Sequence, residues 1–355
     1  MRFANYIIPL VSLIETAVAL PLSNISKYPF DINPENFTIA AVRAAPINWP
    51  TPILNRNWTG ITLDLNATVD YGVSLIEKAA ADGANAVTFP ECWFPGYPKG
   101  YDENNWMTTH IDDYIANSLE VGSENWNKLL QAAADNKVFV GFGFSEKNDE
   151  AIFMAQALID PSGTVLIQRR KVRPSGSERL LWSDGSMSGL QVASTFLGRI
   201  GILECWEHFH PTMTFPMWSQ TEDLHIASFP YIPDEDDASA FWWETAENNL
   251  AAARLYAINS GALTVVASVG KAVAFSAEGA VLAEMDASVS MEENPILYVS
   301  GINATAFNDV NFNINSEASW GILEEIVDNY PENIPRVTGN YVPAVTNPIS
   351  QLLAA

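Results

Sequence analysis

Apolar and polar residues alternate between two periods along this chain. Phe37 to Ala45 is apolar and β-rich and predicts a first strand, which Pro46, Pro50 and Pro52 break. From Ala67 to Asp82 the apolar positions Val69, Val73, Leu75, Ile76, Ala79 and Ala80 recur at helical spacing. Asn66 or Thr68 is placed to cap that helix and Gly83 to end it. Ala84 to Phe89 reads as a second strand, and a helix follows around Ser123 to Asn136. Strands are then expected at Val138 to Ser145, Ile152 to Ile159 and Thr164 to Arg170. The second half repeats the theme. The run Ile200 to Leu203 predicts a buried strand, Thr212 to Ser219 a helix and Leu224 to Phe229 a strand. Ser239 to Ser260 predicts a long helix closed by Gly261. Strands at Leu263 to Val269, Ala272 to Phe275, Val281 to Met285 and Ile296 to Gly301 complete the series. Strand–helix–strand order of this kind belongs to a layered α/β domain. Beyond about Asn315 the pattern weakens into a tail, expected to wrap on the surface or reach a neighbouring subunit.

Composition narrows the function. The chain has 355 residues, 48% of them apolar and only 17% charged, enough for a large core. With 18 basic against 42 acidic residues the net charge is −24, which disfavours nucleic acid and anionic membranes as partners. Arg2 precedes a mostly apolar run from Tyr6 to Leu22, and Ala17-Val18-Ala19 has the form of a cleavage site. This predicts a secretory leader over residues 1–19, with an apolar N-terminal arm as the alternative. A connector over 20–36, a main domain over 37–315 and the tail over 316–355 follow. Sequons at Asn24, Asn36, Asn57, Asn66 and Asn303 give weak further support for export as a glycoprotein. No other segment is apolar and long enough to cross a bilayer, so no membrane partner is expected of the mature chain. Cys92 and Cys205 are the two cysteines, with no zinc-ligand spacing around them. Glu207, His208 and His210 sit together, but no matching partner set accompanies them, so no metal is expected.

Three polar groups stand at predicted strand ends, where an unpaired charge is costly to bury. Glu91 ends the second strand in Phe-Pro-Glu, before the aromatic loop Cys92-Trp93-Phe94-Pro95-Gly96-Tyr97-Pro98. Lys171 stands in Arg169-Arg170-Lys171, a dense basic cluster in an acidic chain. Cys205 stands in Cys205-Trp206-Glu207, at the tip of a sharp turn after an apolar strand, a geometry that exposes nucleophiles. Singly, each has an ordinary explanation: a packed thiol, a strand-end carboxylate, a solvated basic turn. The ordered set resembles the nitrilase superfamily of carbon–nitrogen hydrolases, over about Phe37 to Asn315. The residues around the three positions, including Pro174-Ser175-Gly176-Ser177-Glu178-Arg179, look like the nitrilase branch.

The resemblance implies a four-layer α-β-β-α sandwich, a homo-oligomer of two or more copies and a reaction without cofactor. It implies that Cys205 attacks the carbon of a nitrile, Glu91 exchanges protons with the thiol and with water, and Lys171 stabilises developing negative charge. The backbone N–H of Trp206 assists, and Glu178 matches a second glutamate that positions Lys171 or water. Trp93 and Trp206 are expected to bind an apolar or aryl substituent. An amidase acting on a carboxamide uses the same residues and remains an alternative. So do a Cys205–His208 pair of protease type and a non-catalytic secreted binding protein on the same scaffold.

Overall fold

The computed structural model describes residues 30, 32–49, 58, 60–101, 105–238, 240–304, 320–329 and 344–354. The predicted leader falls outside the described residues, as do Asn24 and Asn57. Strands β1 (Phe37–Val42), β2 (Ala86–Thr88), β3 (Leu119–Glu120), β4 (Phe139–Lys147), β5 (Ile152–Ile159) and β6 (Val165–Arg170) enter one sheet. Strands β7 (Val192–Thr195), β8 (Gly198–Glu204), β9 (Leu224–Ser228), β10 (Leu263–Ala267), β11 (Ala272–Phe275) and β12 (Val281–Met285) form a second. The chain then returns to the first sheet as β13 (Ile296–Ile302), antiparallel to β1. The first sheet runs β13-β1-β2-β4-β5-β6 with β3 paired to β4, and the second runs β12 through β7 in order.

Period-2 alternation decides how the sheets stack. Ile39 and Ala41 of β1, Ile200 and Ile202 of β8, Leu224 and Ile226 of β9, and Val265 and Ala267 of β10 share one apolar core between the sheets. The opposite face of the first sheet, with Val87, Val140, Phe142 and Ala157, packs on helices α1 (Leu65–Ala81) and α4 (Glu124–Asn136). Two short helices, α2 (Trp106–Thr109) and α3 (Ile111–Ala116), lie between these in sequence and carry an aromatic cluster around Trp106 and Tyr114. Helices α5 (Pro211–Trp218) and α6 (Ala246–Ser260) cover the second sheet, packed on Leu203, Val266, Val273 and Phe275. Helix, sheet, sheet and helix make the expected four layers.

Two boundaries depart from the expected ones for identifiable reasons. The cap of α1 is Asp64, whose Oδ1 accepts from Ala67 N–H at 2.9 Å, and not Asn66 or Thr68. Asn66 instead accepts from the Asn125 amide at 2.7 Å, on the surface. Helix α6 begins at Ala246, well inside the span 239–260. The Asn248 and Asn249 side-chain amides reach back to the carbonyls of Trp242 (2.6 Å) and Trp243 (3.0 Å), holding that aromatic stretch in a turn. Of the tail, residues 344–354 dock on the body: Val345 N–H donates to Asp184, Asn347 N–H to Ser183, and Leu352 is buried.

Candidate active site

At the ends of the central strands the inward-facing positions change from apolar to polar. Continuing the alternation of Ile200 and Ile202 puts Glu204 between the sheets, and continuing Ile167 puts Arg169 there. Gln156 joins the sheets, donating to Leu203 O at 3.0 Å and Ser228 Oγ at 3.1 Å while accepting from Arg169 at 2.7 Å. The three predicted polar groups emerge just beyond this layer.

Glu91 follows β2 in a loop held against β4 by a close approach. An added Cβ at Gly143 would lie 2.7 Å from Pro90 O and 2.8 Å from Glu91 Cα, so that position tolerates no side chain. Lys171 is anchored by its N–H to Met154 O at 2.8 Å. Its ammonium is fully buried and donates to Glu91 Oε1 and to Glu178 Oε2, both at 2.8 Å. Glu178 sits in a 3-10 turn over Gly176–Leu180, where its Oε2 also accepts from Ser175 N–H and its Oε1 from the Tyr97 hydroxyl at 2.8 Å. Burial pushes the Glu91 carboxyl up to about 7, against the pull of Lys171 and with Glu178 adding repulsion. Lys171 stays charged: burial opposes its ammonium, but Glu178 and Glu91 more than offset this and hold it well above its usual range.

Cys205 opens a 3-10 turn directly after β8, at φ +34°, a backbone conformation that costs a non-glycine residue on the order of 1–3 kcal/mol. Glu207 holds that turn in place. Its Oε2 accepts from Glu204 N–H at 3.0 Å, and its Oε1 from Val172 N–H at 2.9 Å and Arg169 Nη2 at 2.6 Å. One carboxylate thus ties the loop that carries the thiol to the loop that carries Lys171. Burial pushes the Glu207 carboxyl up, but Arg169 and the two N–H groups win and hold it below its ordinary value. The Cys205 thiol is pushed well above its usual range by burial and then by Glu91, while Lys171 and Lys99 act the other way. The Cys205 side chain is therefore a neutral thiol at rest. Cys205 and Cys92 are both free.

Cys205 and Glu178 line a cavity of about 260 Å³ walled by Tyr97, Tyr101, Trp206, Tyr231, Phe241 and Trp243. The Lys99–Glu244 ion pair, at 2.9 Å, stands at its edge. Glu91 and Lys171 lie behind this wall with essentially no exposure. Trp93 does not line the cavity. Its ring is packed among Phe89, Phe94 and Val69, and its indole N–H donates to Ala44 O at 2.8 Å, so it belongs to the core under α1 and not to substrate binding. The aromatic wall at Phe241 and Trp243 lay hidden inside the predicted helix. The pairing of His208 with the thiol also fails: its Nδ1 bonds Cys205's own carbonyl at 2.7 Å and its Nε2 bonds His225 at 2.9 Å. No cluster suited to a metal ion occurs among the described residues.

Residues 38–292 match the family model described as carbon-nitrogen hydrolase, which is most of the chain. The chain belongs to the carbon–nitrogen hydrolase family. Within that family it is 37% identical over 218 residues to a nitrilase of Talaromyces marneffei, covering 59% of this chain and 66% of that one. It is 40% identical over 208 residues to an arylacetonitrilase of Aspergillus niger, covering 56% and 61%. An arylacetone-specific nitrilase of Alcaligenes faecalis is 33% identical over 230 residues, 64% and 61% of the two chains. The chain thus spans less than two thirds of the length of these curated relatives. Among solved structures, an amidase of the nitrilase superfamily from Nesterenkonia shares the fold, with a TM-score of 0.55 at 16% identity over 79% of this chain and 96% of that one.

Proposed function

We propose that this carbon–nitrogen hydrolase is a nitrilase that converts an arylacetonitrile-type substrate to its carboxylic acid and ammonia. The observation that carries the reading is Lys171 held at 2.8 Å between Glu91 and Glu178, behind the cavity that Cys205 enters from a strained turn. Relatives named as nitrilases and arylacetonitrilases support the reaction and the substrate class. The aromatic wall supports an aryl group independently. A cavity of about 150 Å³ suffices for benzene, and this one, at about 260 Å³, leaves room for a ring and a short arm.

Glu91 Oε1 is committed to Lys171, whereas Oε2 has no hydrogen-bond partner among the described residues. Oε2 takes the proton from Cys205 Sγ, and the thiolate adds to the nitrile carbon. The Lys171 ammonium and the Trp206 N–H face the charge that develops on nitrogen, in a site dry enough to make both count. Protonation of that nitrogen gives a thioimidate. Water, deprotonated by Glu91, adds to the same carbon; both of its protons, the second from the hydroxyl so formed, pass through Glu91 to nitrogen, the C–N bond breaks and ammonia leaves a thioester. A second water cleaves the C–S bond, releasing the acid and restoring the thiol. One nitrile and two waters give one acid and one ammonia. Glu178 positions Lys171 throughout.

Exposed Leu255 and Ile258 on α6, with Val281 and Leu282 on β12, favour a homo-oligomer formed through this face. Export with removal of the leader is part of the same proposal and is checked by the intact mass of secreted protein. The activity is tested by ammonia release from a nitrile panel and a matching amide panel, with Cys205→Ala as control. Preference for amides would move the assignment to an amidase, and undiminished release by the variant would overturn both.

A further inference from the structure

A continuous chain of buried hydrogen bonds runs from the nucleophile's own carbonyl into α6. His208 Nδ1 lies 2.7 Å from Cys205 O, and His208 Nε2 lies 2.9 Å from His225 Nε2. His225 Nδ1 lies 2.7 Å from Glu222 Oε1, and the Tyr256 hydroxyl bonds the other oxygen of Glu222. All four side chains are buried, and none lines the aromatic cavity. The space for Glu222 exists because Gly201 has no side chain: a Cβ there would lie 1.6 Å from Glu222 Oε1.

The chemistry of these groups gives the chain one direction. A carbonyl only accepts, so His208 donates from Nδ1 and its Nε2 must accept. His225 therefore donates from Nε2 and accepts at Nδ1, which requires the donor there to be a protonated Glu222. Tyr256 donates into the remaining oxygen. Burial favours this uncharged form, pushing Glu222 up to about 8 and holding both imidazoles below their ordinary range. At the other end, the C=O of Cys205 and the N–H of Trp206 belong to one planar trans peptide and point in opposite directions. Drawing the oxygen inward to His208 turns the N–H outward, and a hydrogen bond accepted by the oxygen polarises the same amide.

We propose that Tyr256, Glu222, His225 and His208 form a one-way positioning relay that aims and polarises the Trp206 N–H toward the atom on which negative charge develops. The proposal rests on the nitrilase reading for the nature of that atom. It assigns a task to four residues that touch neither substrate nor thiol. Removing the relay weakens an interaction made in the transition state and leaves binding and the thiol itself alone.

Glu222→Ala breaks the relay, whereas Glu222→Gln keeps its direction, since an amide donates to His225 through nitrogen and accepts from Tyr256 through oxygen. With phenylacetonitrile, Glu222→Ala is expected to lose about 10- to 100-fold in kcat with KM within about twofold. Alkylation of Cys205 by iodoacetamide builds no charge at the Trp206 N–H, and its rate should stay within about twofold of wild type. Glu222→Gln should restore kcat to within about threefold. Alkylation slowing in step with kcat, or Glu222→Gln as impaired as Glu222→Ala, would overturn the relay. If Glu222→Ala does not fold, Tyr256→Phe takes its place, with a fall in kcat of about threefold expected at unchanged alkylation; an unaltered kcat overturns the relay. A wild-type chain inert to phenylacetonitrile and phenylacetamide alike sinks the nitrilase reading instead. The relay is then judged by nitrogen-15 shifts: protonation of His208 at Nδ1 and His225 at Nε2 supports it, and the reverse pattern overturns it.

Discussion

Lys171 Nζ and Glu91 Oε1 lie 2.8 Å apart with neither side chain exposed to solvent. A pair removed from water interacts strongly and is expensive to break, and this one is poised by a third group, because Glu178 takes another of the ammonium protons. Glu91 is thereby left with one oxygen for proton transfer. Glu91→Gln keeps the shape and an oxygen for Lys171 but cannot accept the thiol proton. It should lower kcat by at least about 100-fold, the scale of a lost general base, with KM changed little. Steady-state kinetics checks this, and a KM effect larger than the kcat effect would mean that Glu91 serves binding.

The same carboxyl sets the pH dependence. Its value is raised to about 7, and the base is its deprotonated form, so kcat/KM should climb as pH rises through about 7 and level off above it. The thiol does not supply this limb, because burial and Glu91 push it up, away from neutrality. A profile already flat from pH 5 upward would place the working carboxylate elsewhere. The sign for folding is opposite. A carboxyl raised above its unfolded value contributes stability that is complete at low pH and lost as pH rises through about 7.

How much of this was readable in the chain differs from residue to residue. The placement of Cys205 at the cavity was legible because the apolar run Ile200 to Leu203 ends just before it, and the alternation of Ile200 and Ile202 fixes which way the strand faces. Glu207 was not. Its partners Arg169 and Val172 come from the end of β6, and only the stacking of the two sheets brings them within reach. In sequence it lies among histidines and resembles part of a metal cluster. The two histidines of the relay were equally opaque, since neighbours 17 residues apart face each other only once β8 and β9 pair. Tryptophans show the limit of reasoning from residue type. Trp93 and Trp243 have the same chemistry, yet one fills the core under α1 and the other walls the cavity, because the chain after Phe241 turns before it becomes helical.

That contrast can be measured. Trp243 is 40% exposed and lines the cavity, whereas Trp93 is fully buried. Trp243→Ala should raise KM for phenylacetonitrile by about 10-fold, the loss of one ring contact, with stability within about 0.5 kcal/mol of wild type. Trp93→Ala should cost about 3–5 kcal/mol of stability through the cavity it leaves. Substrate kinetics and thermal unfolding on both variants separate the roles. A Trp93→Ala protein of normal stability and weakened substrate affinity would restore Trp93 to the pocket.

The Arg169–Glu207 pair makes the sharpest claim about how the site is held. Both side chains are fully buried at 2.6 Å, and Glu207 also receives the N–H groups of Glu204 and Val172. Arg169→Met removes the countercharge and strands a carboxylate in the interior, at a cost of about 3–5 kcal/mol. Adding Glu207→Gln removes the stranded charge, so the double variant should be more stable than Arg169→Met alone, although it carries one more substitution. Activity should not recover in parallel. One amide oxygen in place of two carboxylate oxygens cannot bond both backbone N–H groups as well, and the loops bearing Cys205 and Lys171 lose their common tie. Urea unfolding and kcat on the wild type and the two variants decide the matter. A double variant less stable than Arg169→Met would show that Glu207 contributes through its packing, with its charge playing no part.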